Sequence, residues 1–150
     1  MLHTLRWLIG DAAFFDATRR VVYGRPDPKP GDFQPRYATT ADFEAAVHAV
    51  TGKDHRWFFD VYLRQAALPE LVTSFQADEG LEMTWKVASG KPFPMPIEIE
   101  IDGKRRRVEM ATGSDLVPMP STARVVIDPD ARVLKRSKQI EEYRAWQATQ

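Results

Sequence analysis

Apolar residues recur along this chain with two different periods, and the change from one to the other divides it. Over the first half the spacing is helical: Leu2, Leu5, Leu8 and Ile9 fall on one stripe, Phe14, Thr18, Val21 and Val22 with Phe15 on a second, and Phe43, Ala46, Val47 and Val50 on a third. Punctuation at Gly10-Asp11, at Gly24 to Tyr37, at Gly52-Lys53-Asp54 and at Pro69 separates four helices. Asp11 is placed to cap the second, and Thr39 with Asp42 three residues later has the form of a capping box for the third. The fourth is expected from about residue 54 to 67. Its centre, Trp57-Phe58-Phe59-Asp60-Val61-Tyr62-Leu63, is apolar nearly all round, as in a helix packed on several sides, so it should form the core of this half. The first helix has no capping residue before Leu2 and reads as the middle of a helix, an expectation of truncation.

The stretch from Gly24 to Tyr37 carries Pro26, Pro28, Pro30 and Pro35; it cannot form a regular helix and reads as an ordered excursion. After Pro69 the period becomes two: Leu71, Thr73, Phe75 and Ala77, then Leu81, Met83, Trp85 and Val87, then Ile97, Ile99 and Ile101, then Val125 and Ile127. Short strands with turns between them predict a small antiparallel sandwich. From about Lys138 to Ala148 a short polar helix carries Ile140, Tyr143 and Trp146 on one side. The fold class is thus α+β, with a helical segment over residues 1–69, a β-sandwich over 70–136 and a helical tail over 137–150.

Lys104-Arg105-Arg106-Arg107 is the one run that suggests nucleic acid, and a hairpin accounts for it better. With Asp102-Gly103 as a two-residue turn, Glu100 lies opposite Arg105, Glu98 opposite Arg107, Ile97 opposite Val108 and Met95 opposite Met110. One face becomes charge pairs and the other core, while Lys104 and Arg106 sit near the tip. Globally, Lys plus Arg equals Asp plus Glu at 21 each, so no net field recruits nucleic acid or an anionic membrane. No apolar run is long enough to span a bilayer. The absence of cysteine excludes disulfides, thiolate metal sites and a cysteine nucleophile, and leaves the compartment open.

Candidate chemistry is sparse. None of His3, His48 and His55 lies in the His-Glu-x-x-His spacing that lets two imidazoles one helical turn apart grip zinc beside a general base. Glu44 and His48 are four apart and could share a ligand face, but with no third candidate an ordinary helical surface pair is the better reading. His55 belongs near a helix start rather than in a site. The serines lack a Gly-x-Ser-x-Gly setting, and Gly10, Gly24, Gly31 and Gly52 are isolated where helices end or turns occur. Neither serine hydrolysis nor nucleotide binding is supported, and the residues offer no catalytic, cofactor-binding or metal site.

Residues 1 to 73 nonetheless resemble the stretch that follows the catalytic tyrosine in the zinc aminopeptidase family of alanyl aminopeptidase (aminopeptidase N) and leukotriene hydrolase. The carrying segments are Met1 to Asp11 with Phe14 or Phe15, Thr39-Thr40-Ala41-Asp42-Phe43, Val50-Thr51-Gly52-Lys53-Asp54, Trp57 to Leu63, and Leu68-Pro69-Glu70-Leu71. Residues 70 to about 136, ending in Val126-Ile127-Asp128-Pro129-Asp130 and Val133-Leu134-Lys135, are more loosely similar to the small immunoglobulin-like sandwich that often follows. The resemblance implies the helical back of a thermolysin-like catalytic domain. The family's zinc ligands, its Gly-x-Met-Glu-Asn motif and its tyrosine have no matching positions in this chain, so no catalytic residue is carried over.

A non-catalytic C-terminal part of such an enzyme is therefore expected. Zinc and peptide substrate would belong to the cytoplasmic, periplasmic or secreted parent, and the rest of its catalytic domain would be the partner. A homodimer through the first helix would bury Leu2, Leu5, Trp7, Leu8 and Ile9 where those neighbours are missing. The alternative is a free-standing, non-enzymatic protein-interaction module.

Overall fold

The computed structural model describes residues 1–27, 29–31, 34, 36–76, 79–147 and 149; Pro28, Pro35, Ala77 and Ala148 of the sequence reading lie outside them. The architecture is mixed helix and sheet, with short helices and two small antiparallel three-stranded sheets. Two compact units divide it, Met1–Phe59 and Asp60–Gln150.

The first unit contains α1 (Leu2–Ile9), α2 (Asp11–Tyr23), α3 (Thr40–Thr51) and the start of α4 (Arg56–Leu63). Only Gly10 separates α1 from α2, and its φ of 84° turns the chain in one residue. Asp11 consequently does not cap α2; it is the helix's first residue and pairs with Arg6 at 2.6 Å. On α2 the buried position is Ala17, whereas Phe15 and Val22, assigned to the inner face by spacing, are exposed. The Arg6 guanidinium lies 4.9 Å from the centre of the Phe15 ring, which partly covers it. The capping box of α3 forms as read: Thr39 N–H donates to Asp42 Oδ2 at 2.7 Å and Asp42 N–H to Thr39 Oγ1 at 3.2 Å. Leu5, Ala17, Val47, Phe58 and Phe59 are the buried apolar residues of this unit.

The fourth helix is shorter than the expected 54–67. Asp54 precedes it and accepts the Arg56 N–H at 2.9 Å, and the chain leaves helical geometry after Leu63, well before Pro69. Leu63 is exposed, so the apolar run is not enclosed on all sides.

In the second unit, β1 (Glu70–Gln76), β2 (Gly80–Lys86) and β5 (Ser114–Val117) form one sheet in the order β1-β2-β5. The other sheet is built from β3 (Ile97–Ile101), β4 (Lys104–Val108) and β6 (Val125–Ile127) in the order β4-β3-β6. The β3–β4 hairpin has the expected register, Glu98 opposite Arg107, Glu100 opposite Arg105 and Ile97 opposite Val108. Asp102 and Gly103 adopt φ of 48° and 78°, the left-handed pair that a tight two-residue turn needs. Ile97 and Ile99 are fully buried while Arg105 and Arg107 are exposed, so the charges lie on the outer face. The ladder ends at Ile97 and Val108. Met95 and Met110 are both buried but not paired through their backbones, because Pro94 and Pro96 lack donors and Met110 has a φ of 51°.

Met83, Trp85 and Val117 are the buried apolar side chains of the first sheet, and the Trp85 indole N–H donates to the Met95 carbonyl at 2.7 Å. Phe75, expected inward, is exposed, since the outer half of β1 has no buried position from Thr73 to Gln76. The tail forms α5 (Lys138–Gln147), on which Tyr143 and Trp146 are exposed and contact each other with ring centres 5.8 Å apart. No helix among the described residues is long and apolar enough to cross a membrane.

Candidate functional site

A cleft of the helical unit lies where α3 gives way to α4, and its volume is about 270 Å³. Glu44, Ala45 and His48 line it from α3; Asp54, His55, Arg56 and Phe59 line it from the connection and the first turn of α4. Gly52, with a φ of 67°, ends α3 and bends the chain back so that both segments reach one place. The Glu44–His48 pair of the sequence reading is therefore a wall of this cleft, joined by His55 and Asp54. His3, by contrast, lies exposed on α1.

One backbone carbonyl organises the two imidazoles. His48 Nδ1 lies 3.0 Å from the Lys53 oxygen and His55 Nδ1 lies 3.2 Å from the same atom. A carbonyl only accepts, so each ring carries its proton on Nδ1 when neutral. Thr51 Oγ1 is 3.5 Å from His55 Nδ1 and donates its own proton to the Val47 carbonyl at 2.8 Å. At the rim, Arg56 grips Asp54 through Nε and an Nη atom at 2.9 and 2.6 Å. These side-chain bonds, with the Arg56 N–H, hold the Asp54 carboxyl down to about 2.

His55 is 9% exposed, and burial lowers its pKa from the ordinary histidine value; the charges of Lys53 and His48 push the same way, the Lys53 carbonyl and Asp54 the other. The folded chain thus binds this proton less readily than the unfolded chain. The neutral ring's contribution to stability is complete above the unfolded value of about 6.5 and is lost as pH falls toward the lower folded value. Urea midpoints measured between about pH 8 and 5 should fall on the acid side. The decline should be shallower for His55→Gln, and parallel curves would remove His55 as the cause.

The sequence placed His55 near a helix start, where it is: its carbonyl accepts the Phe58 N–H at 2.9 Å. What spacing alone missed is that the same residue closes a cleft. The available signal was two histidines seven apart across a Gly52 helix stop. Among the described residues no three or more histidine, aspartate or glutamate side chains are placed to hold a metal ion.

Comparison with known proteins bears on the fold. No protein-family description matches the chain, and no curated protein matches it. Among solved structures, it is similar to the crystal structure of Legionella pneumophila aminopeptidase A in complex with aspartic acid, with 18% identity and a TM-score of 0.58. The match covers 91% of this chain and 17% of that one, so the chain spans about a sixth of that protein's length. At that identity the likeness concerns the fold, and it runs through helices and sheets alike.

Proposed function

We propose that this chain is the C-terminal, non-catalytic part of a zinc aminopeptidase of the alanyl aminopeptidase and leukotriene hydrolase family. In this reading residues 1–69 are the helical back of its thermolysin-like domain, 70–136 its immunoglobulin-like sandwich and 137–150 a tail. The observation that carries the reading is a structural match, spanning 91% of the chain, to part of an aminopeptidase. The ordered segments from Met1 to Leu71 support it from the sequence side. The chain supplies support and cavity wall; zinc and the groups that act on the peptide lie outside it. Leu2, Phe15 and Val22, exposed on the helical unit, are where the remainder of the catalytic domain, or a second copy of this chain, would pack.

The test combines gene and protein. The coding sequence upstream of Met1 is expected to continue in frame into His-Glu-x-x-His. The 150-residue polypeptide is expected to hydrolyse no aminoacyl p-nitroanilide and to retain no stoichiometric zinc after dialysis. An upstream stop codon with no such motif, or turnover by the chain alone, overturns the reading.

A further inference from the structure

One edge of the β1-β2-β5 sheet is open. The Trp85 N–H donates to the Gly113 carbonyl at 2.8 Å, on the side of β5. Successive residues of an antiparallel strand alternate in direction, so Thr84 and Glu82 turn to β1 and bond Val72 and Ser74 there. Leu71, Thr73 and Phe75 therefore direct their N–H and C=O groups out of the sheet. β1 is an edge strand, and among the described residues none of these groups has a partner. The strand is exposed from Thr73 to Gln76 and carries no lysine, arginine or proline over its 7 residues. The other edges are guarded. β5 and β6 are 4 and 3 residues long, and in β5 the Leu116 N–H is already taken by Asp115 Oδ1 at 2.8 Å. A second β4 set against β4 would bring Arg105 opposite Arg107.

We infer that the open edge of β1 pairs with β1 of a second copy of this chain, antiparallel and two-fold symmetric about Thr73, so that two sheets become one. Self-complementarity selects this occupant. In that register Thr73 meets Thr73 of the second copy, Leu71 meets Phe75, and Val72 meets Ser74. The strand's one ionised side chain, Glu70, meets the Gln76 amide, so no like charges face each other. Leu71, Thr73 and Phe75 are the residues whose backbones point outward, and each then exchanges both bonds with its opposite number. Every free donor and acceptor of the edge is satisfied at once. The exposed Phe75 ring gains an apolar neighbour on the face that carries Met83 and Trp85. A slip of one residue would turn that face outward in one of the copies and break the match. The pairing stands independently of the aminopeptidase reading, because it uses only β1.

The experiment is sedimentation of the 150-residue chain from about 1 to 300 μM, the range in which an interface this small assembles. A monomer at the low end and a dimer at the high end are expected. Thr73 is exposed, so Thr73→Lys and Thr73→Glu leave the monomer folded while setting like charges on the two-fold axis. Each should weaken dimerisation by at least about fivefold, and an equimolar mixture of the two should recover it. Only an interface in which residue 73 meets itself gives that recovery; a strand of another protein at this edge would not. Amide exchange supplies a second readout. Leu71, Thr73 and Phe75 should slow as concentration rises, whereas Val72 and Ser74, already bonded to β2, should change far less. Leu2→Lys, on the helical unit, should leave dimerisation unchanged, and its loss there moves the interface and overturns the assignment. A chain that stays monomeric throughout overturns it as well, as does a mixture that associates no better than its components.

Discussion

Truncating Phe59 to alanine is expected to cost about 3–5 kcal/mol of unfolding free energy, a large share of what a chain of this size possesses. Phe59 is 1% exposed, and its ring meets Phe43 and Phe58 edge-on at centroid distances of 5.9 and 5.6 Å. Removing it takes away transfer free energy and both aromatic contacts, and leaves a cavity that helices of 8 and 12 residues cannot close without moving their backbones. Leu63, one turn further along α4, provides the internal comparison. It is 43% exposed, and Leu63→Ala should cost well under half as much. Urea midpoints at an unchanged slope measure both, and equal shifts would show that Phe59 does not hold the helical unit together.

The helices and the central hairpin were legible because their signals are local. Thr39 and Asp42 satisfy each other's backbone donors whatever surrounds them, and Asp102-Gly103 accepts left-handed φ by its own chemistry, which then fixes every pair from Ile101 to Ile97. The errors fall where a neighbour decides. Phe15, Val22 and Phe75 have the right periodicity but remain 49%, 42% and 44% exposed, and a period states which residues share a face rather than whether that face is buried. Asp11 does not cap α2 because Gly10, the one residue between the two helices, takes the cap position itself. The cleft was half legible: Glu44 and His48 share a helical face by spacing. The Lys53 carbonyl that orients His48 and His55 together is a backbone atom and leaves no mark in the sequence.

Asp128 shows the same limit in the sheet unit, and there the consequence is large. In the sequence it stands out only as part of Val126-Ile127-Asp128-Pro129-Asp130, yet its carboxylate is completely enclosed. It accepts the Arg132 N–H at 2.7 Å, the Val133 N–H at 3.2 Å and the Lys135 ammonium. Its backbone has a φ of 53°, and its carbonyl accepts the Ala131 N–H at 2.9 Å, so the residue both makes the turn and satisfies the donors that the turn exposes. Tyr62 ties down the next step of this loop by donating its hydroxyl to the Leu134 carbonyl at 2.6 Å. Burial, and the Asp128 charge after it, push the Tyr62 phenol above its ordinary range, so it remains a donor at any ordinary pH. Asp128→Ala leaves an ammonium and two amide donors facing a void and places alanine at a positive φ. The expected loss is about 3–5 kcal/mol, the scale for breaking one side of a buried ion pair. Asp128→Asn keeps an acceptor oxygen and tolerates the left-handed conformation, so it should lose roughly half of that. Lys135→Met removes the partner and keeps the stem, leaving the carboxylate its two amide donors, and should fall between them. The order Ala, then Met at 135, then Asn, read from urea midpoints, is the result to look for. A loss below about 1 kcal/mol for Asp128→Ala would mean that water replaces the carboxylate and that the loop is held by Tyr62 and the strands alone.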